Sequence, residues 1–191
     1  MNFLKSKIYK ETLWGIFIAL AIIIGLTTYL VNQYITKYVY DNYVASLKNE
    51  ADSFELALQE DLIQHDFNLV QLLLTDLGLQ KSINSIRLLN SEGVVRASSN
   101  AAEVGIQLER TSLPCIACHT ASSENPPFQQ LNPRKGEEES TILIANPLNN
   151  RVVCQSCHKD GKPTRGILLV DFHAEDLINR QKYFTIGVYS G

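Results

Sequence analysis

From Thr12 to Thr36 no residue carries a charge, and the run is rich in Ile, Leu and Ala. As a helix rising ~1.5 Å per residue it is ~37 Å long, enough to cross a ~30 Å hydrocarbon core with some tilt. Lipid offers no partner to a bare backbone, so a single apolar segment placed there has to be helical. The competing reading is a cleavable signal peptide, because Ala19-Leu20-Ala21 resembles a cleavage site. The run continues past it through Ile22, Ile23, Ile24, Leu26, Leu30 and Val31, which favours an uncleaved anchor. Lys5, Lys7 and Lys10 precede the run and predict a cytoplasmic N-terminus, with everything after Thr36 outside. Trp14 falls at the inner edge, and Tyr29, Tyr34, Tyr38, Tyr40 and Tyr43 fall at the outer edge, where amphipathic rings favour the headgroup layer. Gly15, Ala19, Ala21 and Gly25 include small-xxx-small spacings suited to helix pairing.

The whole chain is 191 residues, so the anchor leaves room for one modest domain, and a large multidomain enzyme is excluded. Net charge is −3 with no long basic run, which excludes the electrostatic footprint of a nucleic-acid binder. Residues 37–80 contain no Pro and no Gly before Gly78. Leu47, Ala51, Phe54, Leu58, Leu62, Leu69 and Leu72 recur at three-four spacing, predicting one long amphipathic helix that continues the membrane helix. Its apolar face suits either its own domain or a dimer seam, since the spacing resembles an interrupted heptad.

The pattern changes near Ser82. Strands are predicted at Ser85–Leu89, Val94–Ser98, Thr141–Ala145 and Gly166–Phe172, with a turn at Asn90-Ser91-Glu92-Gly93 and a closing helix over about Ala174–Tyr183. Thr120–Ser140, polar and carrying Pro126, Pro127 and Pro133, reads as a surface loop. The fold class is therefore α+β. Its expected segments are a cytoplasmic N-terminus (1–11), a transmembrane helix (12–36), a long helix (37–80), a small antiparallel-sheet domain with the Cys-bearing loops (81–173), and a closing helix (174–191) that leads towards a second membrane helix.

All four cysteines fall in a repeated motif, Cys115-Ile116-Ala117-Cys118-His119 and Cys154-Gln155-Ser156-Cys157-His158. Two thiols at this spacing can form thioethers to the vinyl groups of one haem, with the following His as proximal iron ligand. The sequence therefore implies two covalent c-type haems, bound through Cys115, Cys118, Cys154 and Cys157 and ligated by His119 and His158. A zinc site using the four thiols is the first alternative, but the stretch from Cys118 to Cys154 is about twice the usual ~15–20 residues, and both histidines would go unused. Two Cys-x-x-Cys disulfides are the second. Covalent haem is attached outside the membrane, in agreement with the orientation read independently from the lysines.

For the sixth iron position, Met1 is the only methionine and lies on the wrong side, leaving His65 and His173. His65 falls on the helical face of Leu58, Leu62, Leu69 and Leu72, and either ligates iron or is a hydrogen-bonded core or interface residue. His173 is expected just after the last strand, at the start of the closing helix, where the alternative is a solvent-facing terminus residue. No spare Cys, Ser-His-Asp order or Gly-rich phosphate loop is present, so no catalytic constellation is read.

The chain resembles the extracytoplasmic sensor region of bacterial histidine kinases and methyl-accepting chemotaxis proteins, specifically PAS/Cache-like domains that carry c-type haem. The resemblance spans essentially the whole chain. It rests on the opening helices, on Ile86–Asn100 followed by Glu103-Val104-Gly105, on Cys115–His119, Asn146-Pro147 and Cys154–His158, and on Gly166–Phe172. It implies a homodimer in the bacterial cytoplasmic membrane, with the haem domain periplasmic and any kinase output beyond residue 191. Two departures stand out. The sequence ends at Gly191, where Tyr183–Tyr189 would begin a second membrane helix, and His173 stands where a Ser- or Thr-like cap is expected. The expected function is a membrane-anchored dihaem sensor of redox state or of NO, CO or O2. The alternative is a dihaem electron-transfer cytochrome with a redox partner, and a zinc-binding adhesion module is a weaker third.

Overall fold

The computed structural model describes residues 2–109, 111, 115, 129–131, 141–156 and 161–174. By compactness the chain divides at Asn42, and a folded body begins at Tyr43. Helix α1, Asn2–Ile63, is unbroken for 62 residues. It is the one helix among the described residues long and apolar enough to cross a membrane, and Trp14, Phe17, Ile22, Ile23, Ile24 and Leu26 are all exposed on it. In the folded body its buried residues are Val44, Leu47, Ala51, Phe54 and Leu58, a strict three-four alternation that turns one stripe inward.

The single helix expected over residues 37–80 is two helices. Helix α1 stops at Ile63, and α2 spans Phe67–Leu77. His65 takes a left-handed backbone, φ 57°. Its N–H donates to the Leu62 carbonyl (3.3 Å), and the Asp66 N–H donates to the Asp61 carbonyl (2.9 Å). These two bonds form a Schellman termination with His65 at the position usually held by Gly. Asp66 then caps α2, its Oδ1 accepting from the N–H groups of Asn68 and Leu69, both at 3.1 Å. The chain turns a corner that heptad-like spacing concealed. His65 therefore does not share a helical face with Leu58, Leu62, Leu69 and Leu72, and while Leu58 is buried, Leu69 and Leu72 are exposed.

Five strands form one antiparallel sheet in the order β2-β1-β5-β4-β3: β1 Ile83–Asn90, β2 Val95–Ser98, β3 Gln129–Leu131, β4 Thr141–Asn149 and β5 Thr164–His173. The predicted β1–β2 turn is present: Asn90 Oδ1 accepts from the Glu92 and Val94 N–H groups, and Gly93 adopts φ 83°. Strand β3 lies inside the stretch read as loop. Strand β4 runs through Pro147, which is in register with Ile167 of β5. His173 is the last residue of β5, paired with Thr141, and does not follow the strand. The closing helix expected from 174 onward lies outside the described residues.

Asn146 of β4 donates from Nδ2 to Asp52 Oδ1 and Glu55 Oε2 of α1, both at 3.0 Å, which identifies the sheet face that meets the helix. Leu168, Val170 and Phe172, in register with Asn146, Ile144 and Ile142, are fully buried on that face. On the opposite face Leu89, Val95, Leu143, Ala145 and Leu169 form a second cluster, covered by Leu108. The sheet is buried on both sides, which explains why β5 reads as a nearly continuous apolar run. Helix α2 is tied to β2 by Gln71, whose Nε2 donates to the Ser98 carbonyl (2.7 Å) while its Oε1 accepts the Ser98 N–H (3.1 Å).

Candidate functional site

The second cysteine motif starts in the connection from β4 to β5. Asn150 closes the base of that connection: its N–H donates to the Pro163 carbonyl (2.7 Å) and its Nδ2 to the Lys162 carbonyl (3.1 Å). Cys154 then sits in a short 3-10 turn, Val152–Ser156, with its N–H on the Arg151 carbonyl at 2.9 Å. Arg151 fixes the turn to α1, donating from Nη2 to Glu55 Oε1 (2.8 Å) and from Nη1 to Gln59 Oε1 (2.9 Å). Glu55 also accepts from Asn146, so one carboxylate joins helix, strand and motif. Burial raises the pKa of Glu55 despite the opposing attraction of Arg151.

Beside Cys154 lies a cavity of about 320 Å³, within the range of small-ligand sites. It opens where the end of β1 (Leu88, Leu89, Asn90), the end of β4 (Leu148) and the start of β5 (Arg165, Gly166) meet the corner between α1 and α2. Its apolar wall includes Leu62, Ile63 and Phe67, and its polar wall includes His65, Arg96, Arg151, Arg165 and Glu55. Arg96 lies over the Phe67 ring, 5.4 Å from the centroid. Gly166 is required here, because a Cβ would collide with the Leu89 carbonyl oxygen.

Of the residues proposed from sequence, the structure brings Cys154 and His65 to one cavity. Cys154 is half-buried and makes no disulfide. His173 lies elsewhere: its N–H donates to the Ser82 carbonyl (2.9 Å), and its carbonyl accepts the Tyr43 hydroxyl (3.4 Å). It sits at the far end of β5 from Gly166, ~23 Å away at ~3.3 Å per residue. Cys115 is half-buried. Cys118, His119, Cys157 and His158 lie outside the described residues, among which no group of three or more His, Cys, Asp and Glu is placed to hold a metal.

The cavity wall beside Cys154 thus combines a thiol, apolar side chains, three guanidiniums and an imidazole. Sequence reasoning missed Arg96, Arg151, Arg165 and Phe67, which come from four separate segments and carry no shared local signal. It did hold one clue to the corner, Asp66 immediately before Phe67-Asn68-Leu69-Val70, a capping residue ahead of an apolar run.

A second polar centre lies on β1. Arg87 donates bidentately to Glu103 (Nε to Oε2 and Nη2 to Oε1, both 2.7 Å), and the Ser98 hydroxyl donates to Glu103 Oε2 at 2.7 Å. Hydrogen bonding from Arg87 holds the Glu103 carboxyl below its ordinary value of 4.5. This ties the Glu103-Val104-Gly105 segment to the sheet and is a structural role.

No family model matches the chain, and no curated protein matches it. Among solved structures the chain is similar to the periplasmic domain of RsbU from Chlamydia trachomatis, with 15% identity and a TM-score of 0.44. The alignment covers 79% of this chain and 58% of that one.

Proposed function

We propose that the chain is a membrane-anchored extracytoplasmic sensor module with two covalent c-type haems, one at Cys115, Cys118 and His119 and one at Cys154, Cys157 and His158. It detects redox state or a small gas, NO, CO or O2, and relays the change along α1. The observation that carries the reading is the cavity at Cys154, lined by His65 and three guanidiniums at the C-terminal end of the same helix that contains the apolar segment. A haem attached there supplies an iron that can change charge by one electron or take a small ligand.

The protein's own groups supply the rest. Cys154, held by its 3-10 turn, fixes one attachment point. Leu62, Ile63 and Phe67 give the cavity an apolar wall. Arg151 ties the loop to Glu55 and Gln59, so a displacement of the loop loads α1 directly. The three lysines before the apolar segment orient the folded body to the periplasmic side, and a homodimer places two copies of α1 side by side.

The test is the full chain in detergent, produced with the c-type haem attachment machinery. Pyridine-haemochrome quantitation is expected to give two haems per chain, and one after Cys154→Ser with Cys157→Ser. Absence of covalent haem refutes the reading, and zinc or thiol analysis then identifies the site. Spin labels on α1 compare oxidised, reduced and CO- or NO-bound forms. Identical distances in all of them refute the sensor and leave an electron-transfer cytochrome.

A further inference from the structure

We infer that the Glu55 carboxylate is a proton-operated tie between α1 and residues 150–156, closed at neutral pH and released when the surrounding medium turns mildly acidic. The inference concerns the attachment of this segment to the helix and does not rest on what its cysteine carries. Glu55 is half-buried on α1 beside the buried stripe that holds Phe54 and Leu58. Its two oxygens serve different elements. Oε2 accepts from Asn146 Nδ2 of β4 at 3.0 Å, and Oε1 accepts from Arg151 Nη2 at 2.8 Å. The same Asn146 amide also donates to Asp52 Oδ1 at 3.0 Å, so two carboxylates one helical turn apart share one donor group. Arg151 in turn opens the 3-10 turn, its carbonyl accepting the Cys154 N–H at 2.9 Å.

The charges around this carboxylate come from several elements. Asp52 lies on α1, Arg151 and Cys154 on the β4–β5 connection, Arg165 on β5, Arg96 on β2 and His65 at the corner, while the described residues of β1 and β4 bring no charged group to the cavity. Burial disfavours the ionised form of Glu55, Arg151 favours it and Asp52 opposes it, and the balance raises the pKa above the ordinary 4.5. A protonated Glu55 still offers an oxygen to Asn146 but no charge to Arg151. The Arg151 side chain is 45% exposed against 16% for Glu55, so water is at hand to replace the lost partner. Gln59 then remains as the neutral contact of Arg151 on α1. A raised pKa also means that the folded body holds this proton more tightly than the unfolded chain does. Acid therefore acts through Glu55 on the tie and not on the fold as a whole.

The test is hydrogen exchange followed by mass spectrometry on the full chain in detergent, with rates corrected for the intrinsic pH dependence of exchange. The Cys154 amide, bonded to the Arg151 carbonyl, reports the tie, and the amides of β1 and β5 report the fold. Between about pH 7.5 and about pH 5, protection over residues 150–156 is expected to fall about fivefold, as a charge-assisted bond becomes a neutral one, while β1 and β5 keep theirs. Glu55→Gln copies the charge of the protonated side chain and is expected to show the low protection at both pH values, as is Arg151→Gln. Asp52→Asn removes the like charge and is expected to move the transition to lower pH. A transition that survives Glu55→Gln belongs to another group, such as the His65 imidazole, and overturns the inference. Flat protection in the parent, an equal fall in β1 and β5, or a midpoint indifferent to Asp52→Asn overturns it as well. These readouts are independent of the haem count, so failure here and failure of the haem reading are told apart.

Discussion

His65 closes α1 in a conformation that costs most L-residues ~1–2 kcal/mol, and the termination is built from main-chain bonds. Replacing it in haem-free protein therefore has a calculable sign. Gly removes the steric cost but adds unfolded-state entropy of about 0.5–1 kcal/mol, leaving a net gain of about 0.5–1 kcal/mol. For a folded body of this size that is a rise in Tm of about 2–5 °C. Asn, which tolerates the left-handed region, is expected to match His65 within a few tenths of a kcal/mol, and His65→Val to lose about 1–2 kcal/mol because a β-branched side chain crowds that backbone. The assay is thermal unfolding of the full chain in detergent, expressed without haem attachment and followed by far-ultraviolet circular dichroism. The expected order is Gly, then Asn and His together, then Val. A haem-free His65→Gly chain that melts below the parent refutes the argument from the left-handed corner.

Three further outcomes follow from the local geometry. Asp66→Ala removes the cap of α2 and is expected to cost about 1 kcal/mol, read as a lower Tm in the same assay. Gly166→Ala drives a methyl group into the Leu89 carbonyl and is expected to cost about 3 kcal/mol or more, so little folded protein should be recovered. Glu103 is held below its ordinary pKa by Arg87, so its stabilisation is complete above the carboxylate range and is lost as pH falls through the depressed value. Glu103→Gln should therefore melt lower than the parent at neutral pH, with the two curves converging as pH falls through the depressed value. Parallel curves across that range refute the assignment.

Local pattern alone determined a good deal about this chain. The uncharged run from Thr12 to Thr36 dictates helix whatever surrounds it, because a backbone in lipid has no other partner. The β1–β2 turn is written in Asn90 and Gly93, since a side-chain acceptor and a left-handed backbone are both properties of single residues. The cores of β1, β4 and β5 were legible because strands buried on both faces must be apolar almost throughout.

What tertiary structure decided depends on groups distant in sequence. Leu69 and Leu72 continue the period of Leu58 and Leu62, and only the packing of α2 against β2 shows that the helix turns at His65 and leaves them exposed. Strand β4 extends through Pro147 because Ile167 and Gly166 of β5 pair with Pro147 and Leu148, which no property of Pro147 announces. His173 belongs to β5 because Thr141 pairs with it. The cavity was beyond any local reading, since Arg96, Arg151, Arg165, His65 and Cys154 meet only once the sheet order is set. Sequence names the chemical groups by local rules, whereas burial, pairing and charge neutralisation are summed over the fold, and that sum places His65 beside Cys154 and His173 at the other end of β5.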